Sequence, residues 1–190
     1  LSGHLFDQSA QEVRRFVKLR IADLVDTRET VLLAGIVGEL RVVNGMRGRV
    51  ALFRLDDMSE TVDAVASEEL LTANRDLLKE DELVIAQGRV QPDRFGGGMR
   101  FQVQSVWDLA GARCRFGKYL RVEVNGSVPP VAEVLRDFPS RRAQTEHGEI
   151  QEGLRVRLQL QRREAIGELD LGDAVRFYPS DGALERWQTG

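Results

Sequence analysis

The sequence predicts a mainly β chain with α+β character, a five-stranded barrel followed by a small β-α-β-β-α unit. Three observations predict it. From Val31 onward the apolar period is that of strands rather than helices. Five strand-like runs follow, with one helix-like run between the third and the fourth. Later, Leu154, Val156, Leu158 and Leu160 alternate strictly with Arg155, Arg157, Gln159 and Gln161, the mark of a half-buried strand.

Residues 1–28 read as a helical lead-in. Ser9 to Arg20 carries one apolar stripe, Val13, Phe16 and Val17, and Ser9 with Glu12 reads as a capping box. A connector, Ile21 to Thr30, leads to the barrel unit, residues 29–112. Val31 to Val43 is its first strand, and Gly35 and Gly38 inside it predict coiling or a bulge. Asn44-Gly45 is a hairpin signal. Arg49 to Leu55 and Glu60 to Ala66 are the second and third strands. Ser67 caps a helix to about Leu78, and Glu82 to Val90 and Met99 to Asp108 complete the barrel around a loop of Pro92 to Gly98. The order β-β-β-α-β-β is that of the OB-fold, whose binding face lies on strands two and three between two flanking loops. Here those loops are Asn44–Gly48 and Asp93–Gly98, and both carry glycine and arginine.

Residues 113–190 form the second unit. Lys118 to Val124 alternates like a strand, and Val128-Pro129-Pro130 opens a helix to Phe138. Ser140 to Gly153 is polar and reads as a mobile loop. Leu154 to Gln161 and Gly167 to Tyr178 supply strand, and GALERWQ closes the chain as a short helix.

Composition excludes several classes. No apolar run nears the roughly 18 residues of a membrane span. Leu1-Ser2-Gly3-His4 lacks the basic and apolar regions of a secretory leader. Leu1 in place of Met points to a piece of a longer or processed chain. A single cysteine, Cys114, fits a reducing cytoplasm, and His4 and His147 lie too far apart for zinc-ligand spacing. There is no phosphate-binding loop and no nucleophile beside a base, so no catalytic constellation is predicted. Asp56-Asp57 reads as a strand end that orders the turn into Met58-Ser59, not as a metal site.

The net charge of -3 makes local arginine clusters informative. Residues 29–112 hold nine Lys/Arg against fourteen Asp/Glu, yet arginines gather at the two loops. Alternation sets Ala51, Phe53 and Leu55 on one face of the second strand and Val50, Leu52 and Arg54 on the other. With Phe53 in the core, Arg54 faces out. Arg47, Arg49 and Arg54 on one side, and Arg94 and Arg100 on the other, form a candidate contact for single-stranded nucleic acid. Guanidinium forks suit phosphate, and Phe95 suits a stacked base. Solvated loop arginines are the bland alternative. In the second unit Phe177, Tyr178, Leu184 and Trp187 are either core or a protein-docking anchor.

Three stretches carry a resemblance. TVLLAGIVGELRVVNGMRGRVALFRLDDMSETVDAVASEEL with LVIAQGRVQPDRFGGGMRFQVQSVWDL resembles the OB domain of the bacterial replicative DNA polymerase III α subunit. LSGHLF resembles the segment before it, and LDLGDAVRFYPSDGALERW resembles the family's extreme C-terminal domain. The resemblance implies that the intact subunit is a DNA-directed DNA polymerase, a nucleotidyltransferase of DNA replication. Its Mg2+ site would lie upstream, leaving no cofactor and no catalytic residue in this chain. It implies single-stranded template DNA as the partner of the OB domain and the clamp-loader τ (tau) subunit as the partner of the C-terminal domain. Tyr178, Leu184 and Trp187 are a regional expectation for that contact. The sliding clamp would bind through an upstream segment. Arg47 and Arg49 keep the basic character of the family's first loop, but Asn44 and Gly45 at its tip weaken the expected DNA contact.

Two other readings compete. An error-prone lesion-bypass relative is expected to end soon after its OB domain, which residues 118–190 disfavour. An OB module of an RNA-metabolism enzyme, such as a tRNA synthetase, is normally followed by a catalytic domain, and none is legible here.

Overall fold

In the computed structural model, which describes residues 2–94, 96–145 and 148–188, the chain opens with a helix, α1 (Ser2–Phe16). The expected start at Ser9 is corrected: Ser9 lies inside the helix, so it is not its cap. Val13 and Val17 are fully buried and fix the last turns; once that nucleus exists, earlier residues extend it cheaply. A short 3-10 turn, Ile21–Asp23, follows, with Ile21 in the barrel core.

The barrel strands are β1 (Thr30–Gly45), β2 (Gly48–Asp56), β3 (Thr61–Ser67), β4 (Leu83–Pro92) and β5 (Met99–Trp107). They close in the order β1-β2-β3-β5-β4. β1 is antiparallel to β2 and β4, and β3 lies parallel to β5. This is the OB-fold connectivity the sequence predicts. Leu33, Val37, Phe53, Leu55, Val84, Val90 and Phe101 fill the interior. Gly88 lets β4 and β5 come together where their register shifts: a Cβ there would sit 2.0 Å from the Gln102 carbonyl oxygen.

Three boundaries differ from expectation. Asn44 and Gly45 pair with Arg49 and Gly48, so Met46-Arg47 alone forms the turn, and Gly48 takes the positive φ of 114° that favours glycine. Gly38 does mark a bulge, before Arg41. The helix after β3, α2 (Glu68–Ala73), starts at Ser67, whose Oγ accepts from the Leu70 N–H at 3.2 Å. It stops before Leu78 because Asn74 closes it, donating its own N–H and its amide Nδ2 to the Leu70 carbonyl. Leu78 then enters the core through a turn.

The chain divides into two compact units, Leu1–Leu109 and Ala110–Gly190. The second begins in α3 (Leu109–Phe116), which the sequence reading passes over because Leu109-Ala110-Gly111-Ala112 shows no stripe. β6 (Tyr119–Val124), α4 (Val131–Asp137), β9 (Leu154–Gln161), β10 (Ile166–Asp170), β11 (Arg176–Phe177) and α5 (Asp181–Gln188) form its body. β9 is central, parallel to β6 and antiparallel to β10 and β11. Val124, Val134, Val156, Phe177, Ala183 and Trp187 make the core.

Two corrections fall here. The polar stretch Ser140 to Gly153 is not a loop but a hairpin, β7 (Arg141–Thr145) with β8 (Gly148–Glu152). Its strands carry polar residues on both faces, so no apolar alternation announces them. The run Gly167 to Tyr178 is broken at Gly172, at φ 85°, into two strands.

Candidate nucleic-acid interface

Alternation along β2 and β3 sorts their side chains into two layers. Ala51, Phe53 and Leu55 of β2 and Val62, Ala64 and Ala66 of β3 point inward and are buried. Leu52 and Arg54, and Asp63 and Val65, face outward. Register then aligns two outward rows across the sheet. Arg54 lies opposite Asp63, which lies opposite Arg100. Arg41 lies opposite Leu52, then Val65, then Gln102, with Arg89 beyond it on β4. A groove of about 160 Å³ runs over this face, lined by Glu39, Arg41, Leu52, Arg54, Asp63 and Arg100 among others.

The arginines differ in how they are held. Arg54 places Nη1 2.8 Å from Glu39 Oε1 and Nε 3.5 Å from Asp63 Oδ1. Arg100 pairs with Asp93 at 3.1 Å, and Arg49 lies 3.5 Å from Glu68. Arg47 sits at the tip of the β1–β2 turn and Arg94 in the β4–β5 loop, both exposed. Of the residues picked from sequence, then, Arg54 and Arg100 line the groove, Arg47 and Arg94 lie outside its lining in the β1–β2 turn and the β4–β5 loop, and Arg49 is tied to α2. Phe95 lies outside the described residues. Phe53 is 3% exposed and belongs to the core.

Arg41 and Arg89 were missed. Cross-strand register carries them: Arg41 shares a face with Leu52 only because the bulge after Gly38 resets the phase of β1. The break in alternation at Gly38-Glu39 was the available signal. The outward rows of this face present guanidinium, carboxylate, amide and aliphatic side chains, and Phe53 beneath them is buried.

Asp57 performs the structural role expected of Asp56-Asp57. It is 2% exposed and accepts from the Ile21 N–H at 3.1 Å, the Ser59 N–H at 3.0 Å, Arg14 Nη2 at 3.0 Å and the Ser59 hydroxyl. Burial pushes its pKa up, but the hydrogen bonds from Ser59, Ile21 and Arg14 outweigh it, so it titrates below the ordinary aspartate range. Among the described residues no three His, Cys, Asp or Glu side chains converge on a metal position.

In the second unit, Trp187 is 6% exposed and meets Phe177 edge to face at 5.6 Å. Tyr178 is buried, with the Arg141 guanidinium 3.7 Å above its ring. Both are core residues, the first of the two alternatives read from the sequence. Leu184, half-buried, and the edge of Trp187 form one wall of a cavity of about 500 Å³, with Leu120, Arg121 and Val122 of β6 opposite.

Comparison with known proteins agrees with this geometry. Residues 31–109 match the family described as OB-fold nucleic acid binding domain. The DNA polymerase III subunit alpha of Pseudomonas aeruginosa is 35% identical over 129 residues, 67% of this chain and 11% of that protein. Those of Vibrio cholerae and Escherichia coli are each 28% identical over 188 residues, 97% of this chain and 16% of theirs. The chain thus spans between about a tenth and a sixth of these relatives. Among solved structures, the second OB-fold domain of replication protein A from Methanococcus maripaludis covers 48% of this chain and 93% of its own, at 13% identity and a TM-score of 0.39. A likeness that distant adds nothing to the fold already described. The barrel is an OB-fold similar to the family described as OB-fold nucleic acid binding domain, and the chain is similar in sequence to DNA polymerase III alpha subunits over the stretch that holds this barrel.

Proposed function

We propose that this chain is a noncatalytic region of a replicative DNA polymerase III alpha subunit whose barrel holds single-stranded template DNA along the β2–β3 groove. The observation that carries the reading is the outward face itself. Arg41, Arg54 and Arg100 line a groove on a barrel whose β1–β2 turn carries Arg47 and whose β4–β5 loop carries Arg94, in a chain that is slightly acidic as a whole. A flexible single strand can bend its phosphates to arginines spread over neighbouring strands of a small barrel, which is how such grooves track a backbone. Polymerisation, its Mg2+ and the sliding-clamp contact belong in this reading to residues outside this sequence, in the cytoplasm.

Fluorescence anisotropy with labelled oligonucleotides tests it. Single strands are expected to bind more tightly than duplex, with affinity falling as salt rises. Joint Arg41→Glu and Arg47→Glu substitution is expected to weaken binding about tenfold or more and to flatten the slope of log K against log salt by roughly 0.7 per lost phosphate. Equal binding by wild type and variant contradicts the reading.

The second unit docks the clamp-loader τ subunit in this reading, and the cavity walled by Leu184, Trp187 and β6 supports it. Removing α5 is a poor test, because Ala183 and Trp187 are core and the unit would unfold. Arg121→Glu and Leu184→Ala, checked for folding by circular dichroism, are expected to reduce τ capture in a pull-down while leaving oligonucleotide binding unchanged.

A further inference from the structure

Two of the groove's arginines are already occupied. Glu39 stands on the bulge of β1 at φ 53°, a left-handed conformation that favours glycine, and its carboxylate ends 2.8 Å from Arg54 Nη1. Asp63 approaches the same guanidinium from the other side, Oδ1 to Nε at 3.5 Å, and lies in register with Arg100. A carboxylate offers a guanidinium the same paired acceptors that a phosphate does. All these side chains are solvent-accessible, so such pairs are weak and a phosphate can displace them.

We propose that Glu39 and Asp63 act as built-in competitors for the nucleic-acid phosphate at Arg54 and set the affinity of the groove for single strands low. The inference rests on the proposed single-strand binding and concerns its regulation. Each bound strand must first exchange a carboxylate for a phosphate, so Arg54 contributes little net affinity, and the strand can leave or slide at small cost. Arg41, which makes no ion pair among the described residues, supplies the standing attraction on the same face.

The test uses the whole chain and a fluorescein-labelled oligothymidylate, by anisotropy across a salt series. Glu39→Gln and Asp63→Asn keep shape and remove charge. Each is expected to bind about two- to fivefold more tightly than wild type. Asp76→Asn is the control, since it changes net charge equally but, among the described residues, pairs with Lys79, and neither residue lines the groove. If it tightens binding as much, the effect is net charge and the proposal is overturned. Unchanged affinity in both groove variants also overturns it, and weaker binding shows that the carboxylates contact the strand themselves. Loss of binding in Arg41→Glu alongside no gain in the carboxamide variants leaves the groove reading standing and removes only this inference. If no protein binds, both fall together.

Discussion

Asp57 shows how one side chain can hold a lead-in segment to a barrel. Its carboxylate gathers donors from α1, from the 3-10 turn and from its own strand end. Asp57→Asn would turn an amide donor toward some of these donors, and a loss of about 2–4 kcal/mol is expected in urea unfolding. The folded pKa lies below the unfolded value of 3.8, so the contribution is complete above about pH 5. It drains away as pH falls through the folded pKa, and the gap between wild type and variant should narrow steadily below pH 4. Gly88→Ala is the second residue-scale expectation. With the Gln102 carbonyl 2.0 Å from the added methyl, strands β4 and β5 must separate, and a cost of about 3 kcal/mol or more should appear in the same assay. Asp57 was legible as a turn-forming acid from its place before Met58-Ser59. Its contact with Arg14 was not, because nothing local ties residues so far apart in sequence.

At the scale of elements, apolar period decided what could be read. β9 was visible in full because its alternation is strict and its buried residues are all aliphatic. The β7–β8 hairpin was not, since Arg142 and Glu149 pair on its surface and it buries little. Arg41 escaped for a related reason: a bulge shifts the phase of β1, and phase is what sequence reading counts. The β9–β10 pair carries a further ladder of charge. The Gly172 N–H and the Arg155 and Arg157 guanidiniums hold the Asp170 carboxyl down to about 2. Carboxyl NMR is expected to find it titrating there. Arg155→Gln should move it back toward the ordinary aspartate value; an unmoved titration would show that the ladder is not formed.

For the whole molecule, order of elements was the readable feature and boundaries were not. Five strands with a helix after the third specify the closed barrel, and the structure has them in that order. The unit boundary falls at Leu109/Ala110, a little before the position expected from sequence, because most of α3 lies in the second unit, where Arg113 donates to the Pro179 carbonyl. Each unit has its own apolar cluster, so a fragment of residues 1–109 is expected to fold alone and give a dispersed amide spectrum. A collapsed spectrum would show that the barrel depends on the rest of the chain.

The most direct measurement is a nitrogen-15 amide NMR titration of the whole chain with oligothymidylate. The account predicts shifts along Arg41, Leu52, Arg54, Val65 and Arg100 and at the Met46-Arg47 turn, with the second unit unmoved. Shifts confined to residues 110–190, or no shifts at saturating oligonucleotide, would contradict it.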